Sequence, residues 1–404
     1  MESEGDAVTK ELFSVIILCY RHFEYLYSAI DSVLEQDYPN IELIISDDSS
    51  PKFPRKRLEQ YIEDHRRENI VRVMIRQEES NVGTVRHLNH AVQSCSGSYV
   101  IALAGDDNLW DNAVLNRYVK GFSHAPENCF IEMAQTAMYD ESLKRLESFY
   151  LKPAVRAALE KTETDTEDLK RLLVRNLACL PSTSTCFRWE FFQKFGSFDE
   201  HYTLIEDYPM HMRLAEEKWI IHYENFVAVK HRHGGVSHGQ TQSSTQTSML
   251  YYQDTARMIK EIVLPNIGCL PAEDQRMTLK KCKADLLWLD MKIAKVKKDY
   301  RKLAVIACCH PFKAYWWFAE KCWPFLYAWH IKPLLLCLVM WAGIPVISEM
   351  LALAFGVAAD TLLIPLYTAA AILFIVWVIV FLMWGSVFLR WKLLRYPNEV
   401  IVIG

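Results

Sequence analysis

An α/β domain with a mostly parallel central sheet, followed by a helical C-terminal region, is the architecture that the sequence predicts. Two features indicate it. Between residues 13 and 110, short apolar runs alternate with segments of helical spacing, which is the order of strand–helix–strand units joined by right-handed crossovers. From residue 334 onward two long apolar segments replace this alternation, so a helical part follows the α/β part.

The elements of the α/β part follow from the spacing of apolar residues. Apolar runs of about 4–8 residues are too short for helices and suit strands that are covered on both faces of a parallel sheet. Predicted strands are 14–19, 41–46, 71–75, 100–104, 129–137 and 182–187. Predicted helices are 25–36, 58–69, 87–94, 153–179 with a polar break at 162–166, 190–195 and 205–215.

Composition divides the first 309 residues into three parts. Residues 1–11 form an acidic, polar tail, 12–248 the α/β domain, and 249–309 a charged helical linker region. The α/β domain ends in residues 234–248, which are rich in Gly, Ser, Thr and Gln. This composition is typical of a mobile loop, which is either a spacer or a flap over the site.

The rest of the chain has the pattern of a membrane anchor. Residues 310–333 are aromatic and basic, typical of an interfacial segment, and 334–357 and 361–389 are each long enough for a spanning helix of about 20 residues. The tail 390–404 is basic, whereas the turn between the two spans carries only Asp360. The positive-inside rule then places both ends in the cytosol. Glu349 lies within the first span, so a re-entrant hairpin is the alternative.

Net charge and cysteine usage exclude several classes of protein. A net charge of −4 gives no sign of the concentrated basic face of a nucleic-acid binder. The 11 cysteines include no CxxC pair, which indicates a reducing compartment without a structural zinc site. The N-terminus is acidic and polar, so we expect no signal peptide before the α/β domain and place that domain in the cytosol.

Two predicted strands end at pairs of aspartates. Asp47 and Asp48 follow one strand, and Asp106 and Asp107 follow another. Ligands of open α/β sheets bind beyond the carboxyl ends of the strands, and carboxylates there can hold a divalent cation against the phosphates of a nucleotide. The alternative is that both pairs only cap helices and form turns.

An ordered set of motifs extends this pattern. Ser14-Val-Ile-Ile-Leu-Cys-Tyr20 is followed by Ile44-Ile-Ser-Asp-Asp-Ser49, Asn81-Val-Gly83, Gly105-Asp-Asp107, Gly196-Ser-Phe-Asp-Glu200 and Glu206-Asp207. Over residues 13–240 this series resembles the family 2 glycosyltransferases of bacterial surface-polysaccharide synthesis. The resemblance implies the Rossmann-like GT-A fold and an inverting transfer of a sugar from a nucleotide donor, most simply a UDP-sugar.

The resemblance also implies roles for individual residues. Asp207 is the expected general base and Glu206 orients the site, although the pair also favours a helix N-terminus through the helix dipole. The implied donor-binding set is Tyr20, Asp47, Asp48, Asn81, Arg86, Asn89, Asp106 and Arg232. The implied ligands of Mn²⁺ or Mg²⁺ are Asp106, Asp107 and His233, with a solvated loop histidine as the alternative for His233.

The chain departs from the family pattern at the metal site. The family has an Asp-x-Asp triplet, and Ala104 stands here in place of its first aspartate. Asp106 is therefore the expected direct ligand, and water, the diphosphate or His233 must replace the missing oxygen.

The C-terminal spans suggest the acceptor. A saccharide linked to a membrane lipid would lie in the inner leaflet beside the two predicted spans, with the catalytic domain on the cytosolic side of the inner membrane. The sequence does not decide whether the two spans also form a homo-oligomer. A processive polysaccharide synthase is one alternative, but Arg390-Trp391 lacks the glutamine of the synthase motif.

Two further alternatives remain at this point. A polyprenyl-phosphate monosaccharide transferase would carry Asn-Glu after the first strand, where this chain has Arg21-His22. A protein of a different class, a membrane-anchored nucleotide-sugar binding or scaffold protein without activity, would share the same motifs.

Overall fold

A computed structural model gives the architecture of the protein. It describes residues 11–161, 165–177, 180–233 and 245–310, together with short pieces at 344–345, 348–351, 353, 358 and 366–368. The chain forms two compact units, residues 1–296 and 297–404. The first unit contains the sheet, and the described part of the second contains a helix at Tyr300–Cys309.

Nine strands in the described residues form one sheet. They are β1 (Phe13–Cys19), β2 (Ile41–Asp47), β3 (Ile70–Gln77), β4 (Tyr99–Ala104), β5 (Asn108–Leu109), β6 (Ile131–Tyr139), β7 (Leu146–Phe149), β8 (Thr185–Arg188) and β9 (Ile221–Arg232). Their order is β3-β2-β1-β4-β8-β6-β9-β5, with β7 paired to β6.

The predicted α/β class is confirmed, and six of the nine strands run in one direction, although β5, β7 and β8 run against them. Strands β3, β2, β1 and β4 are parallel to their neighbours, as the alternating pattern predicts. Strand β8 runs antiparallel to both β4 and β6, and β5 runs antiparallel to β9. The sequence predicts strands at the positions of β6 and β8, but the alternation of strands and helices does not predict that β8 is antiparallel to its neighbours.

The connection from β4 to β5 requires the sheet to curl. Strand β5 lies four places from β4 in the sheet order, which would be about 19 Å in a flat sheet. Only residues 105–107 join the two strands, and four steps of chain from Ala104 to Asn108 span at most about 14 Å. The edge formed by β9 and β5 must therefore bend back toward the carboxyl end of β4.

Twelve helices of the described residues complete the fold. They are α1 (Phe23–Leu34), α2 (Arg55–His65), α3 (Thr84–Val92), α4 (Val114–His124), α5 (Pro153–Leu159), α6 (Thr166–Asn176), α7 (Trp189–Phe195), α8 (Asp207–Glu216), α9 (Thr245–Met258), α10 (Leu264–Asn266), α11 (Ala272–Val296) and α12 (Tyr300–Cys309). A π-helical turn, Ile259–Val263, joins α9 to α10. Helix α4 and strands β5, β7 and β9 are absent from the sequence-based prediction.

Two hydrophobic cores cover the two faces of the sheet. Alternate residues of β1 point to opposite faces, so Val15 and Ile17 enter one core and Ile16 the other. Both cores are closed to solvent at these positions. Because both faces of β1 are buried, its residues 15–18 are all apolar and do not alternate with polar residues.

The region predicted as a helical linker contributes to a core of the first unit. Ile259, Cys282 and Leu289 are buried in the same cluster as Tyr208 and Met212 of α8. Helices α9 and α11 therefore help to support the helix that begins with the Glu206-Asp207 motif.

The predicted membrane anchor falls mainly on residues that the structure does not describe. The spans 334–357 and 361–389, the interfacial segment 310–333 and the tail 390–404 lie outside the described residues, apart from His310 and the short pieces given above. Nowhere in the described part of the chain is a helix both long and apolar enough to cross a membrane. The tail 1–11, except Glu11, and most of the loop 234–248 also lie outside the described residues.

A buried carboxyl group stands in the middle of the sheet. Glu132 of β6 is completely shielded from solvent, and a Cβ atom at Gly121 of α4 would collide with its carboxyl oxygens. Burial, with a smaller contribution from the charge of Glu224, raises the pKa of Glu132 to about 9. The carboxyl group is therefore protonated in the folded protein at neutral pH.

Replacing Glu132 by Gln is expected to stabilise the fold at alkaline pH. Because its folded-state pKa is raised to about 9, the native protein loses stability relative to the unfolded chain as pH rises from about 4.5 toward that value. Glu132→Gln removes this loss, so the gain in the free energy of unfolding should be larger at pH 8 than at pH 5 by on the order of 4 kcal/mol. Urea denaturation at the two pH values measures the difference.

The exposed β7 residue Glu147 provides a matched control. Glu147→Gln should change the free energy of unfolding by no more than about 0.5 kcal/mol at either pH, as is usual for surface substitutions. A Glu132→Gln effect of the same size at pH 5 and pH 8 would contradict a protonated, desolvated carboxyl group.

Candidate functional site

The parallel half of the sheet brings two acidic turns to one edge. Cys19 of β1 is in register with Asp47 of β2, and Leu18 of β1 with Ala104 of β4. The residues that follow these strands therefore lie side by side at their carboxyl ends. This part of the predicted site geometry follows directly from the observed register.

The turn after β2 is held by its own carboxylates. Asp47 Oδ2 accepts hydrogen bonds from the Ser50 backbone N–H at 2.7 Å and from Gln77 Nε2 at 2.8 Å. Asp48 accepts hydrogen bonds from the backbone N–H groups of Val82 at 2.8 Å and Gly83 at 3.1 Å. Burial raises the pKa of Asp48, and these two N–H groups oppose the rise. Both carboxylates thus hold the neighbouring loops in place at this edge of the sheet. Their contact with a donor remains a prediction.

Two exposed side chains follow β1 at the same edge. Tyr20 is 37% exposed, and the guanidinium carbon of Arg21 lies 4.7 Å from the centre of its ring. Arg21 has a left-handed backbone, with φ of 70°, and its N–H donates to Ser50 Oγ at 2.7 Å. Arg21 is absent from the predicted set because only the folded backbone shows that this cation lies beside the acidic turns.

The second acidic turn, which follows β4, is hydrogen-bonded to the end of β9. Asp107 is fully buried, and its carboxylate accepts from the Arg232 backbone N–H at 3.0 Å and pairs with His231 Nδ1 at 2.9 Å. Burial would lower the pKa of His231, but the Asp107 charge and hydrogen bond raise it above its ordinary value. Both Asp107 oxygens are therefore engaged with β9.

Asp106 is only partly exposed and has a different environment. Burial, followed by the charge of Asp107, raises the pKa of the Asp106 carboxyl group. A bound cation would relieve both effects because it favours the ionised carboxylate. Asp106 is thus the member of this pair whose side chain suits a metal or diphosphate ligand.

Arg232 lies beside Asp106, but its guanidinium group has protein partners. Its Nε donates to the Asp106 backbone carbonyl at 3.0 Å, its Nη1 donates to the Glu141 carbonyl, and its Cζ lies 3.8 Å from the centre of the Tyr25 ring. His233 Nδ1 lies 3.6 Å from Glu147 of β7. Arg232 therefore positions the Asp106 turn, whereas the structure places His233 in a pair with an acid of β7.

The third acidic pair lies at the start of α8. Glu206 Oε1 accepts from Ser182 Oγ at 3.1 Å, and Asp207 Oδ1 accepts from the Tyr208 backbone N–H at 2.7 Å. Burial, together with the Asp207 charge, raises the pKa of Glu206. Ser182 lies just before β8, whose first residues face the carboxyl end of β4 because the two strands are antiparallel. This arrangement brings the predicted base motif toward the edge that carries Asp106.

Three members of the predicted donor set connect loops around α3. Asn81 donates to the Asp48 backbone carbonyl at 3.3 Å. Asn89 Nδ2 donates to the Phe198 carbonyl and to Glu200, both at 3.0 Å, and Arg86 Nε donates to Glu200 at 2.9 Å. Asn89 and Arg86 thus hold the segment that leads to the base motif.

The described residues supply few ligands for a divalent cation. They include no group of three or more His, Cys, Asp or Glu side chains arranged to hold a metal. The raised pKa of Asp106 shows a carboxyl group that a cation would stabilise, so the chain fits a site with one protein carboxylate. The remaining ligands would come from water and the donor diphosphate.

Residues 14–195 match the family model for glycosyl transferase family 2. This segment contains strands β1 to β8 and both strand-terminal acidic turns, but it ends before the Glu206-Asp207 motif.

Curated proteins give a consistent result. TuaG of Bacillus subtilis, a glycosyltransferase assigned to teichuronic acid biosynthesis, is 30% identical over 152 residues, which are 33% of this chain and 58% of that protein. A Campylobacter jejuni enzyme, the GalNAc(5)-diNAcBac-PP-undecaprenol β-1,3-glucosyltransferase, is 28% identical over 137 residues, 33% of this chain and 43% of that protein. The chain thus spans about half the length of these relatives. Together with the family match, they support a glycosyltransferase.

A solved structure shows a weaker similarity. The mannosyltransferase PcManGT from Pyrobaculum calidifontis, in complex with GDP-Man and Mn²⁺, is 14% identical, with a TM-score of 0.47 over 79% of this chain and 82% of that one. This similarity is too low to support a conclusion about fold or ligand.

Proposed function

We propose that the protein is an inverting glycosyltransferase that moves a sugar from a nucleoside-diphosphate donor to a hydroxyl group of a lipid-linked saccharide. The observation that carries the proposal is the acidic edge, where Asp106 and the Glu206-Asp207 motif converge on the carboxyl ends of the strands. The matched family and the two named relatives support the same chemistry. UDP-sugars are the first donor class to test.

The reaction requires one carboxylate that accepts a proton. The acceptor oxygen forms a bond to the anomeric carbon as the bond to the diphosphate oxygen breaks, and Asp207 takes the hydroxyl proton. Glu206, fixed by Ser182, has a raised pKa and therefore adds less negative charge beside Asp207. The electron pair of the broken bond leaves with the nucleoside diphosphate.

At the other end of the site, the donor needs positive charge and an aromatic surface. Arg21 is an exposed cation at the edge and can face a phosphate oxygen, and Tyr20 offers a ring for the base. Asp106 would hold a divalent cation, which supplies charge stabilisation for the departing diphosphate. Asp107 and Arg232 position Asp106 from the β9 side.

Asp207→Asn is expected to abolish turnover while preserving donor binding. Loss of a general base typically lowers the rate by about 100-fold to 10,000-fold, whereas the diphosphate contacts lie on other elements. UDP release from UDP-glucose and UDP-N-acetylglucosamine measures turnover, and the thermal shift caused by UDP measures binding. Glu216→Gln, at the exposed end of the same helix, is the matched control and should keep wild-type turnover.

The same measurements test the main alternative. If the wild-type protein binds UDP and these UDP-sugars but turns them over no faster than Asp207→Asn, it is a nucleotide-sugar binding protein and the enzyme proposal is wrong.

Removal of divalent cations is expected to stop the reaction. With one carboxylate ligand from the chain, the cation should be held jointly by Asp106 and the diphosphate, so excess chelator should remove activity and added Mn²⁺ or Mg²⁺ should restore it. In Asp106→Asn, the extra thermal stabilisation that Mn²⁺ gives in the presence of UDP should disappear. Full activity in excess chelator would contradict this role of Asp106.

We also propose that the C-terminal region attaches the protein to the cytosolic side of the inner membrane. The support is the apolar sequence of 334–357 and 361–389 and the positive charge that flanks it. The name of the Campylobacter relative, which contains a polyprenyl diphosphate-linked saccharide, is in keeping with such an acceptor.

Truncation after Arg301 is expected to release the protein from membranes. The full chain should sediment with the membrane fraction and resist high salt, because two apolar segments of this length insert far more stably than a surface charge contact. Fractionation of cells that express each form, followed by immunoblotting, measures the difference. Equal membrane retention of the two forms would show that the C-terminal region is not the main attachment.

A further inference from the structure

We infer that Asp254, on helix α9, is a positioning residue for the catalytic base. Helix α9 begins 50 residues after the segment that matches the glycosyltransferase family, so no family motif includes it. The inference rests on the proposed function of Asp207, but the contacts that carry it are independent of that function. They form what we call the loop clamp: Asp254, Arg257 and Glu261 held against the loop 201–204.

Asp254 makes the central contacts of the loop clamp. Its Oδ2 accepts hydrogen bonds from the backbone N–H groups of Thr203 and Leu204, both at 2.7 Å. Asp254 is 2% exposed, so these are buried, charge-assisted hydrogen bonds, the strong class in proteins. The loop ends two residues later at Glu206, directly before Asp207 begins α8.

Two neighbouring residues extend the loop clamp. Arg257 Nη1 donates to the His201 carbonyl and lies 3.4 Å from Asp254 Oδ1, so one arginine bonds both the loop and the clamping carboxylate. Glu261, in the π-helical turn, lies 3.0 Å from His201 Nε2. The loop before the base is therefore held at three points from a single helical segment.

The opposite side of the loop packs against the donor side of the site. A Cβ atom on Gly83 would lie 2.5 Å from the Thr203 methyl group, and Val85 N–H donates to the Thr203 carbonyl at 3.2 Å. Gly83 also donates its N–H to Asp48. Thr203 thus lies between the Asp48 turn and Asp254. The loop clamp therefore helps to fix the position of Thr203 against Gly83.

This arrangement predicts a selective effect on catalysis. The proposed donor contacts lie on the turns after β1, β2 and β4, whereas Asp254 bonds Thr203 and Leu204 and lies beside Arg257. Displacement of the base by about 1 Å is enough to lower a rate by about 100-fold. Loss of the clamp should therefore lower kcat far more than it changes KM for the donor.

Hydrogen–deuterium exchange on the full chain tests the clamp without a substrate. In Asp254→Ala, peptides that cover 199–208 should exchange at least about tenfold faster than in wild type, because local opening becomes easier. The matched control is Asp274→Ala, which removes an acid of α11 that pairs with Arg175 at 3.3 Å and does not contact the loop. Exchange of 199–208 that is unchanged in Asp254→Ala would overturn the inference.

Kinetics then separate a positioning role from a general structural one. With UDP-glucose and UDP-N-acetylglucosamine as probes, Asp254→Ala should lose about 10-fold to 100-fold in kcat at nearly unchanged KM. Asp254→Asn, which keeps an acceptor oxygen, should recover part of this loss. An equal loss in Asp274→Ala, or a kcat of Asp254→Ala equal to wild type, would overturn the role in catalysis.

The outcomes also distinguish this inference from the proposed function. If wild type and Asp207→Asn are equally inactive, the proposed function fails while the exchange data still decide whether the clamp exists. If Asp254→Ala does not fold, Arg257→Gln serves as the second variant, since it removes the bond to the His201 carbonyl and leaves the Asp254 carboxylate in place.

Discussion

The buried carboxylate of Asp107 is the interaction on which the candidate site depends. A carboxylate without solvent is destabilising by several kcal/mol unless hydrogen bonds and an opposite charge compensate for its lost hydration. Here both partners, the Arg232 N–H and the His231 ring, belong to the end of β9. The turn after β4 is therefore fixed to a strand three places away in the sheet order, which is what the short β4–β5 connection and the curl of the sheet also require.

This constraint separates the roles of two adjacent aspartates. Asp107 faces β9 and has a structural role, whereas Asp106 stays partly exposed with a raised pKa. Arg232 strengthens the difference because it bonds the Asp106 carbonyl and leaves the side chain of Asp106 for a ligand. Because Ala104 stands where the family triplet has its first acid, Asp106 would be the one carboxylate of this turn to hold a cation, and the proposed diphosphate would supply further ligands.

The first half of the fold could be predicted because its signals are local. Ile16 and Ile44 lie in buried runs whose strand character is visible in the apolar pattern, and the alternation with helices indicates parallel pairing. Strand β9 has no such signal: most of its residues are partly buried with no regular alternation, and its pairing with β6 shifts register near Gln135. Its position depends on contacts with distant segments, and so does the two-residue strand β5.

The residues of the candidate site also divide into those with a local sequence signal and those without one. Asp106, Asp107 and the Glu206-Asp207 pair could be proposed as site residues because acidic side chains follow strands or begin a helix. The cation of Arg21 could not, because its approach to the edge depends on a left-handed backbone and a bond to Ser50. The motif predicts Asn89 as a donor ligand, which stays a prediction, and the structure shows its amide bonding the loop at Phe198.

The contacts that support Asp207, the proposed base, therefore come partly from residues outside the motifs. Asp207 starts a helix whose residues Tyr208 and Met212 share a core with α9 and α11, and the loop before it contacts Asp254 on one side and Gly83 on the other. Because Gly83 also bonds Asp48, the loop lies between the two ends of the candidate site. The helical region that follows the α/β domain thus has a physical role, because it helps to fix the position of Asp207, the proposed base.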